Sequence, residues 1–137
     1  MNLRSKGQRP VQSGRVRGVD ARSGGPVAVD VWWLVDTGAD LATVRNSVAR
    51  GLLYRKVRGA SASPTTGGGG ILVVYGLDVE FRVVDRSRHR ERVVVSSTQV
   101  GVKSNDAGSD VLGMRQLADQ SATVEWSPRT GKGQIST

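Results

Sequence analysis

The most constraining feature of the sequence is the apolar run at residues 27–35, which ends directly at Asp36, Thr37 and Gly38. Valine or tryptophan occupies every second position of this run, and a period of two places these side chains on one face of a β-strand. The strand therefore delivers a carboxylate to its buried end, where an isolated charge is costly. The cost falls if backbone N–H groups hold the carboxylate, or if a second carboxylate shares its proton. The second arrangement is catalytic chemistry.

The composition favours one domain that is largely β. A chain of 137 residues can bury one modest core but is too short for two. Aromatic residues make up only 4% of the chain, so the core volume must come mainly from valine, leucine, isoleucine and alanine. Valine dominates the apolar runs, and β-branched residues favour strands. The 18 glycines indicate many turns between those strands.

Several kinds of site and location are disfavoured by what the sequence lacks. Without cysteine there is no thiol nucleophile, disulfide or cysteine-ligated metal. The single histidine, His89, rules out a histidine-cluster metal site within one chain, so we expect no metal and no cofactor. No run approaches the roughly 18 apolar residues of a membrane span, and the basic N-terminus lacks the apolar segment of a signal peptide. We therefore expect a cytoplasmic protein that does not use a membrane.

The net charge of +8 is concentrated in two stretches. Residues 1–25 carry six Arg or Lys against one Asp, and residues 82–92 carry five Arg around His89. Such clusters can attract nucleic acid or an acidic partner. No aromatic side chains are interleaved with the arginines to stack on single strands. A basic arm and a solvated, Arg-rich turn explain the charge more simply, so nucleic acid is not the favoured partner.

The chain divides into three parts by composition. Residues 1–14 are predicted to be a basic, disordered arm, residues 15–126 the folded domain, and residues 127–137 a polar, frayed tail. Within the domain the patterns predict these elements: strands at 27–35, 42–44, 92–95 and 122–126, a hairpin with arms 53–60 and 71–81, and a short helix from 111 or 112 to about 120.

Three short segments occur in a fixed order along the chain, and their order is more informative than any one of them. The first is DTGA at residues 36–39, after the apolar strand. The second is GGGGI at residues 67–71, at the tip of the predicted hairpin. The third is VLG at residues 111–113, which opens the short helix before the last strand. Each alone is an ordinary turn, loop or strand–helix junction, so the interpretation rests on their order.

In this order the three segments resemble the retropepsin-like aspartic proteases, over roughly Val27 to Trp126. The resemblance implies an all-β fold, a small closed β-barrel-like acid protease domain with one short C-terminal helix. It also implies an aspartic endopeptidase that acts on a peptide or protein substrate as a homodimer. The stretch between Asp36 and Gly113 is longer than in retroviral enzymes, which favours a cellular or bacterial member over a viral one.

The resemblance implies a role for each of these residues. Asp36 would be catalytic and would face Asp36 of a second copy, because the chemistry needs two carboxylates and the motif occurs once. Thr37 would hydrogen-bond across the dimer beneath the pair, and Gly38 would let the substrate backbone come close. The remaining roles are substrate binding for Ala39, Asp40, Gly69, Gly70 and Ile71, and structural support for Val111, Leu112 and Gly113.

Two other interpretations stay open: one rests on a departure from the retroviral pattern, and the other on the net charge of +8. In retroviral relatives an arginine directly follows the glycine of the third segment and braces the residue corresponding to Asp40. Here Met114 has that place and Arg115 comes one residue later. The second interpretation is therefore a catalytically silent retropepsin-like module that binds a peptide or partner. The third is a basic, nucleic-acid-binding β-domain. The strand at 122–126 is the candidate element for the dimer interface.

Overall fold

The computed structural model describes residues 1–58, 63–64 and 70–137. In these residues the chain is mostly strand, with two short helices, and no helix among them is long and apolar enough to cross a membrane. The strands are β1 (Arg4–Lys6), β2 (Arg9–Asp20), β3 (Pro26–Val35), β4 (Thr43–Val44), β5 (Leu52–Leu53), β6 (Arg55–Lys56), β7 (Ser63–Pro64), β8 (Gly70–Tyr75), β9 (Asp78–Asp85), β10 (Arg90–Ser96), β11 (Val100–Lys103), β12 (Asp110–Leu112), β13 (Thr123–Ser127) and β14 (Lys132–Ser136). The helices are α1 (Asn46–Ala49) and α2 (Met114–Asp119).

The strands join into one mixed sheet. Its main order is β13-β14-β9-β2-β3-β12-β4-β11-β8-β6, while β1 and β5 pair with β2, β10 pairs with β9, and β7 pairs with β8. Within the described residues this order is an open path, so the expected closed barrel stays a prediction. The all-β prediction is confirmed in its coarse form, since the helices are only four and six residues long.

Strand β3 forms where the alternation predicts it, and its C-terminal half is mostly buried. Trp33 is fully buried, and its Nε1 donates a hydrogen bond to the backbone oxygen of Glu80 at 2.9 Å. A Cβ on Gly14 would lie 2.4 Å from that Nε1, so only glycine lets the indole cross β2 and reach β9. The neighbouring Trp32 points the other way and is 52% exposed. The alternation thus sorts the two tryptophans onto opposite faces.

The basic arm predicted for residues 1–14 is wrong, because these residues form β1 and the first half of β2. Strand β1 pairs with β2 through a two-residue turn at Gly7 and Gln8. Asn2 and Leu3 are buried, while the basic side chains of β1 remain exposed. The charge predicted disorder, but Asn2, Leu3, Val11 and Gln12 are buried, and the charged positions face solvent.

The frayed tail predicted for residues 127–137 is also wrong. Strand β14 pairs along its length with β13, and Ser136 pairs with Val84 of β9. Ile135 is fully buried in the main core cluster. One buried isoleucine and a hairpin partner order a segment whose composition is otherwise polar.

The predicted hairpin is divided into shorter strands than the sequence suggested. Its first arm splits, because β5 pairs with β2 whereas β6 pairs with β8. Its long return arm bends at Gly76, which has a φ of +94° and separates β8 from β9. Strand β11 was not predicted at all, although all four of its residues are buried. The predicted helix begins later, at Met114, because Val111 and Leu112 belong to β12.

Candidate functional site

The Asp36 loop leaves the end of β3 as a tight turn. The Asp36 Oδ1 accepts a hydrogen bond from the Gly38 N–H at 2.9 Å, and the Ala39 N–H donates to the Asp36 backbone oxygen at 3.2 Å. Asp36 is half-buried, whereas Thr37 and Gly38 are exposed. The turn therefore holds one carboxylate oxygen by a backbone donor and presents the loop to solvent.

Strand β12 lies directly behind this loop, between the strands that enter and leave it. It pairs in parallel with β3, with Val111 opposite Leu34 and Leu112 opposite Val35, and in antiparallel with β4. The Asp36 N–H donates to the backbone oxygen of Leu112 at 3.1 Å, which extends the β3–β12 ladder into the loop. The structure thus brings the first and third sequence segments together.

Gly113 fits against the exit of the Asp36 loop so closely that no side chain could be added. A Cβ at this position would lie 2.3 Å from the carbonyl carbon of Leu41 and 2.5 Å from its oxygen. The next two residues continue the contact, because the Met114 N–H donates to Ala39 and the Arg115 N–H donates to Asp40, at 2.8 and 2.9 Å. The first two residues of α2 are therefore bonded to the loop through their backbone N–H groups.

The Gln116 side chain holds the end of the loop at Ala42, and no sequence motif singles this residue out. Its side chain is fully buried, and Oε1 accepts a hydrogen bond from the Ala42 N–H at 2.8 Å. Its Nε2 donates to the Thr98 hydroxyl at 2.9 Å and to the Gln99 backbone oxygen at 2.8 Å. A polar side chain next to Leu117, on the apolar side of a short helix, was the available signal.

The Arg115 side chain contacts Gln99 and not the Asp40 carboxylate. The Arg115 guanidinium donates to Oε1 of Gln99 at 3.1 Å, while Asp40 is exposed and receives Arg115 only through its backbone oxygen. Shifting the arginine by one residue along α2 turns its side chain away from the loop. The Asp40 carboxylate is therefore held less firmly than the retroviral pattern implies.

The residues of the glycine-rich segment are only partly described. Gly69 lies outside the described residues. Gly70 and Ile71 begin β8, where they pair with β7. The Gly70 N–H donates to the Ser104 hydroxyl at 3.1 Å, and the Ser104 N–H donates back to the Gly70 oxygen at the same distance. These bonds anchor the base of the hairpin to the end of β11.

An apolar row crosses six strands on the side of the sheet that Asp36 faces. The directly paired residues of this row are Val11, Leu34, Val111, Thr43, Gly101 and Val73. Their sequence neighbours, such as Val35, Leu112 and Val102, form the main core on the opposite face. Asp36 follows Leu34 by two residues, so alternation places it on the same side as the row. The carboxylate therefore stands at the edge of an apolar surface separate from the core.

A buried ion pair holds the other end of β12. Asp110 is 2% exposed and accepts the Arg45 N–H at 2.8 Å and the Arg45 Nη2 at 3.2 Å. The buried ammonium of Lys103 lies nearby and donates to the backbone oxygens of Ala107 and Ser109. Burial lowers the pKa of Lys103, and the Asp110 carboxylate opposes that shift. Arg45 follows β4 directly, so the pair fixes β12 against β4.

Replacing Arg45 by methionine is expected to destabilise the fold by about 2 kcal/mol, because the buried Asp110 carboxylate loses its charged partner. The effect falls short of a fully buried pair, since the Arg45 side chain is 39% exposed. Urea unfolding measures it. Arg50→Met is the control, because Arg50 is exposed and its side chain donates a hydrogen bond to the nearby Asn46 of α1. Equal midpoints for both variants would contradict the role given to the pair.

Among the described residues, no group of three or more His, Cys, Asp or Glu side chains could hold a metal ion. The site consists of backbone donors, one half-buried carboxylate and an apolar surface.

No protein-family model matches the sequence, and no curated protein does. Among solved structures, the EIAV protease complexed with the inhibitor HBY-793 is similar in part, with a TM-score of 0.44 and 18% sequence identity. The match covers 86% of this chain and 93% of that protease chain.

Proposed function

We propose that this chain is a retropepsin-like aspartic endopeptidase that hydrolyses peptide bonds as a homodimer. The observation that carries the proposal is the position of β12, which lies between β3 and β4 directly behind the Asp36 loop. Together with Gly113 against Leu41, it sets an Asp-Thr-Gly turn rigidly while its tip stays open. A loop that only connected two strands would need no such support.

The second copy supplies what one chain lacks. Water activation by this chemistry needs two carboxylates that share a proton, and the Asp-Thr-Gly sequence occurs once. A two-fold axis beside the exposed Thr37 and Gly38 would bring one Asp36 opposite the other. Two carboxylates so close together repel each other when both are charged, so the pair would share one proton.

The reaction then follows from one shared proton. The ionised Asp36 takes a proton from the water between the carboxylates as that water attacks the peptide carbonyl. Asp36 of the partner subunit donates its proton to the carbonyl oxygen, which gives a tetrahedral diol. The diol collapses when the first Asp36 passes its new proton to the amide nitrogen, the C–N bond breaks, and a diol hydroxyl returns a proton to Asp36 of the partner subunit. No covalent bond to the enzyme forms. Thr37 and Gly38 act by holding the two loops and by admitting the substrate backbone.

The substrate would lie extended across the apolar row. Ala39 and the exposed Asp40 carboxylate would contact the peptide at the loop, Gly69 and Gly70 would cover it from the hairpin, and Ile71 would contact it from the row. Gly101 has no side chain, and methyl groups of Ile71 and Thr43 fill the space beside it. A Cβ added to Gly101 would lie 2.7 and 2.8 Å from those two methyl groups. The surface next to Asp36 is therefore lined by methyl groups and suits aliphatic side chains.

Incubation of the purified chain with unfolded polypeptide from pH 4 to 7 tests the proposal, with mass spectrometry of the products. We expect cleavage within the polypeptide, favoured next to aliphatic residues, at a rate that rises faster than linearly with chain concentration because two copies form one site. A rate strictly proportional to chain concentration down to the nanomolar range would contradict the shared site.

The second candidate is the catalytically silent, peptide-binding module. It is favoured by the contact of Arg115 with Gln99 instead of Asp40, which leaves one substrate-binding carboxylate unbraced. Such a module would bind extended peptides without turnover, and its affinity would be unchanged in the Asp36→Asn variant. The nucleic-acid interpretation loses support, because Arg82, Arg86 and Arg92 pair with carboxylates of the same chain.

A further inference from the structure

The two ends of the chain are bonded to each other within one protomer. The Asn2 side chain donates to the Ile135 backbone oxygen at 3.1 Å and accepts the Ile135 N–H at 2.8 Å. The Leu3 N–H donates to the Gly133 oxygen at 3.2 Å. Asn2, Leu3 and Ile135 are all buried. We call this group the terminal clasp.

The terminal clasp is reinforced by the two strands beneath it. Gln12 donates to the Asn2 oxygen at 3.3 Å and to the Arg82 oxygen at 3.0 Å, and its Oε1 accepts the Arg82 N–H at 2.7 Å. Asn2 also donates to the Arg82 oxygen at 3.0 Å. Two amide side chains therefore tie the N-terminal segment to β9 and β14 at once.

Local turns hold both terminal strands to their own chain. Strand β1 returns to β2 through Gly7 and Gln8, which have φ of +57° and +64°. Positive φ at both positions of a two-residue loop is the type I′ hairpin, the tightest connection between antiparallel strands. At the other end, a Cβ on Gly133 would lie 2.2 Å from the Glu125 oxygen, so β13 and β14 are also in close contact. Exchange of either strand between copies would require one of these hairpins to open.

We infer that the second copy binds at the Asp36 end of the molecule and that the terminal strands are not exchanged between protomers. The inference rests on the proposed dimeric function, and it departs from the retroviral arrangement, in which the termini of two subunits interleave. What remains for the partner at the Asp36 end is the exposed Thr37 and Gly38 together with Met114, which is 42% exposed beside the loop. Because the terminal clasp is complete within one chain, the protomer stays folded when the dimer dissociates.

A pair of cysteines tests where the terminal strands lie, since the natural chain contains none. Leu3 pairs with Gly133 in antiparallel, so Arg4 stands opposite Lys132, and both line one surface cleft. Opposed residues in such strands have Cα atoms about 4.5–5.5 Å apart, within the range of a disulfide. The experiment oxidises the variant carrying Arg4→Cys and Lys132→Cys at a concentration where sedimentation shows dimer.

On a denaturing gel without reductant we expect a cross-linked monomer. A covalent dimer would show strand exchange and overturn the inference, and free thiols after oxidation would overturn it as well. The single variants are controls for random pairing. The cross-linking result does not depend on peptide cleavage. A covalent dimer that still cleaves peptide would overturn this inference and leave the proposed function standing. A chain that is cross-linked but monomeric at every concentration would overturn the second-copy contact and the dimeric function together.

A substitution at the Asp36 end completes the test. Met114→Arg is expected to raise the dimer dissociation constant about tenfold or more, because the two-fold axis would bring like charges together. Leu53→Arg is the matched control, since Leu53 is an exposed apolar residue on β5, away from the loop. The unfolding midpoint of Met114→Arg should stay within the range of the control. An unchanged dissociation constant, or equal changes for both variants, would overturn the placement of the partner.

Discussion

Asp36→Asn is expected to lower the rate of peptide hydrolysis by about 10³-fold, because the variant has no ionised carboxylate to take the proton from water. The fold should persist, since the asparagine Oδ1 can accept the Gly38 N–H that Asp36 Oδ1 accepts at 2.9 Å. Steady-state cleavage of an extended peptide measures the rate, and circular dichroism reports on the fold.

Asp30→Asn is the matched control for that result. Asp30 lies on β3, which leads into the Asp36 loop; its side chain is 95% exposed and pairs with the Arg15 guanidinium. We expect its cleavage rate to stay within about twofold of the natural chain, as for other surface changes. Cleavage that survives Asp36→Asn unchanged would remove Asp36 from the reaction.

Gly113→Ala is expected to destabilise the protein by about 3 kcal/mol. The added methyl group would clash with backbone atoms, which cannot move aside as a flexible side chain can. The added Cβ would lie 2.3 Å from the Leu41 carbonyl carbon. This clash is relieved only if α2 and the Asp36 loop separate. That separation would break the hydrogen bonds from the Met114 and Arg115 N–H groups to the loop. Cleavage should therefore fall together with the urea midpoint.

Gly25→Ala separates this effect from a general intolerance of glycine replacement. The nearest atom to a Cβ at Gly25 is the Ser23 hydroxyl oxygen at 3.6 Å, an ordinary contact. We expect a change of less than about 0.5 kcal/mol at that turn. If Gly113→Ala were as stable as Gly25→Ala, the packing of β12 and α2 behind the loop would not be what sets its geometry.

The part of the fold that the sequence predicts is the part decided locally. Strand β3 carries a period of two that needs no partner to be recognised, and the turn at Asp36 follows from its residues. The chain ends were predicted wrongly for the opposite reason. Their order depends on Asn2 bonding to Ile135, 133 residues away, and neither residue signals this locally. Charge and polarity predict disorder there, although burial of a few residues such as Leu3, Val11 and Ile135 is enough to order both ends.

The site residues also fall into two groups, those recognisable from local sequence and those defined by distant partners. The sequence identified Asp36 and Val111–Gly113 as separate motifs, and the structure places them in contact through a parallel pairing of distant strands. Gln116 and the pair of Arg45 with Asp110 were missed because each is defined by its tertiary partner. A buried glutamine or carboxylate is recognisable only when its hydrogen-bond donors and acceptors are known. Strand β11 escaped notice because four residues with a central glycine show too little periodicity.

The central claim is that Asp36 works only opposite another Asp36, and a mixing experiment measures it directly. The natural chain and the Asp36→Asn variant are mixed in equal amounts at a fixed total concentration, where sedimentation shows dimer, and left to exchange subunits. With random pairing only about one quarter of the dimers carry two carboxylates, so we expect about one quarter of the full cleavage rate. A rate of one half, the value for independent sites, would contradict the shared pair.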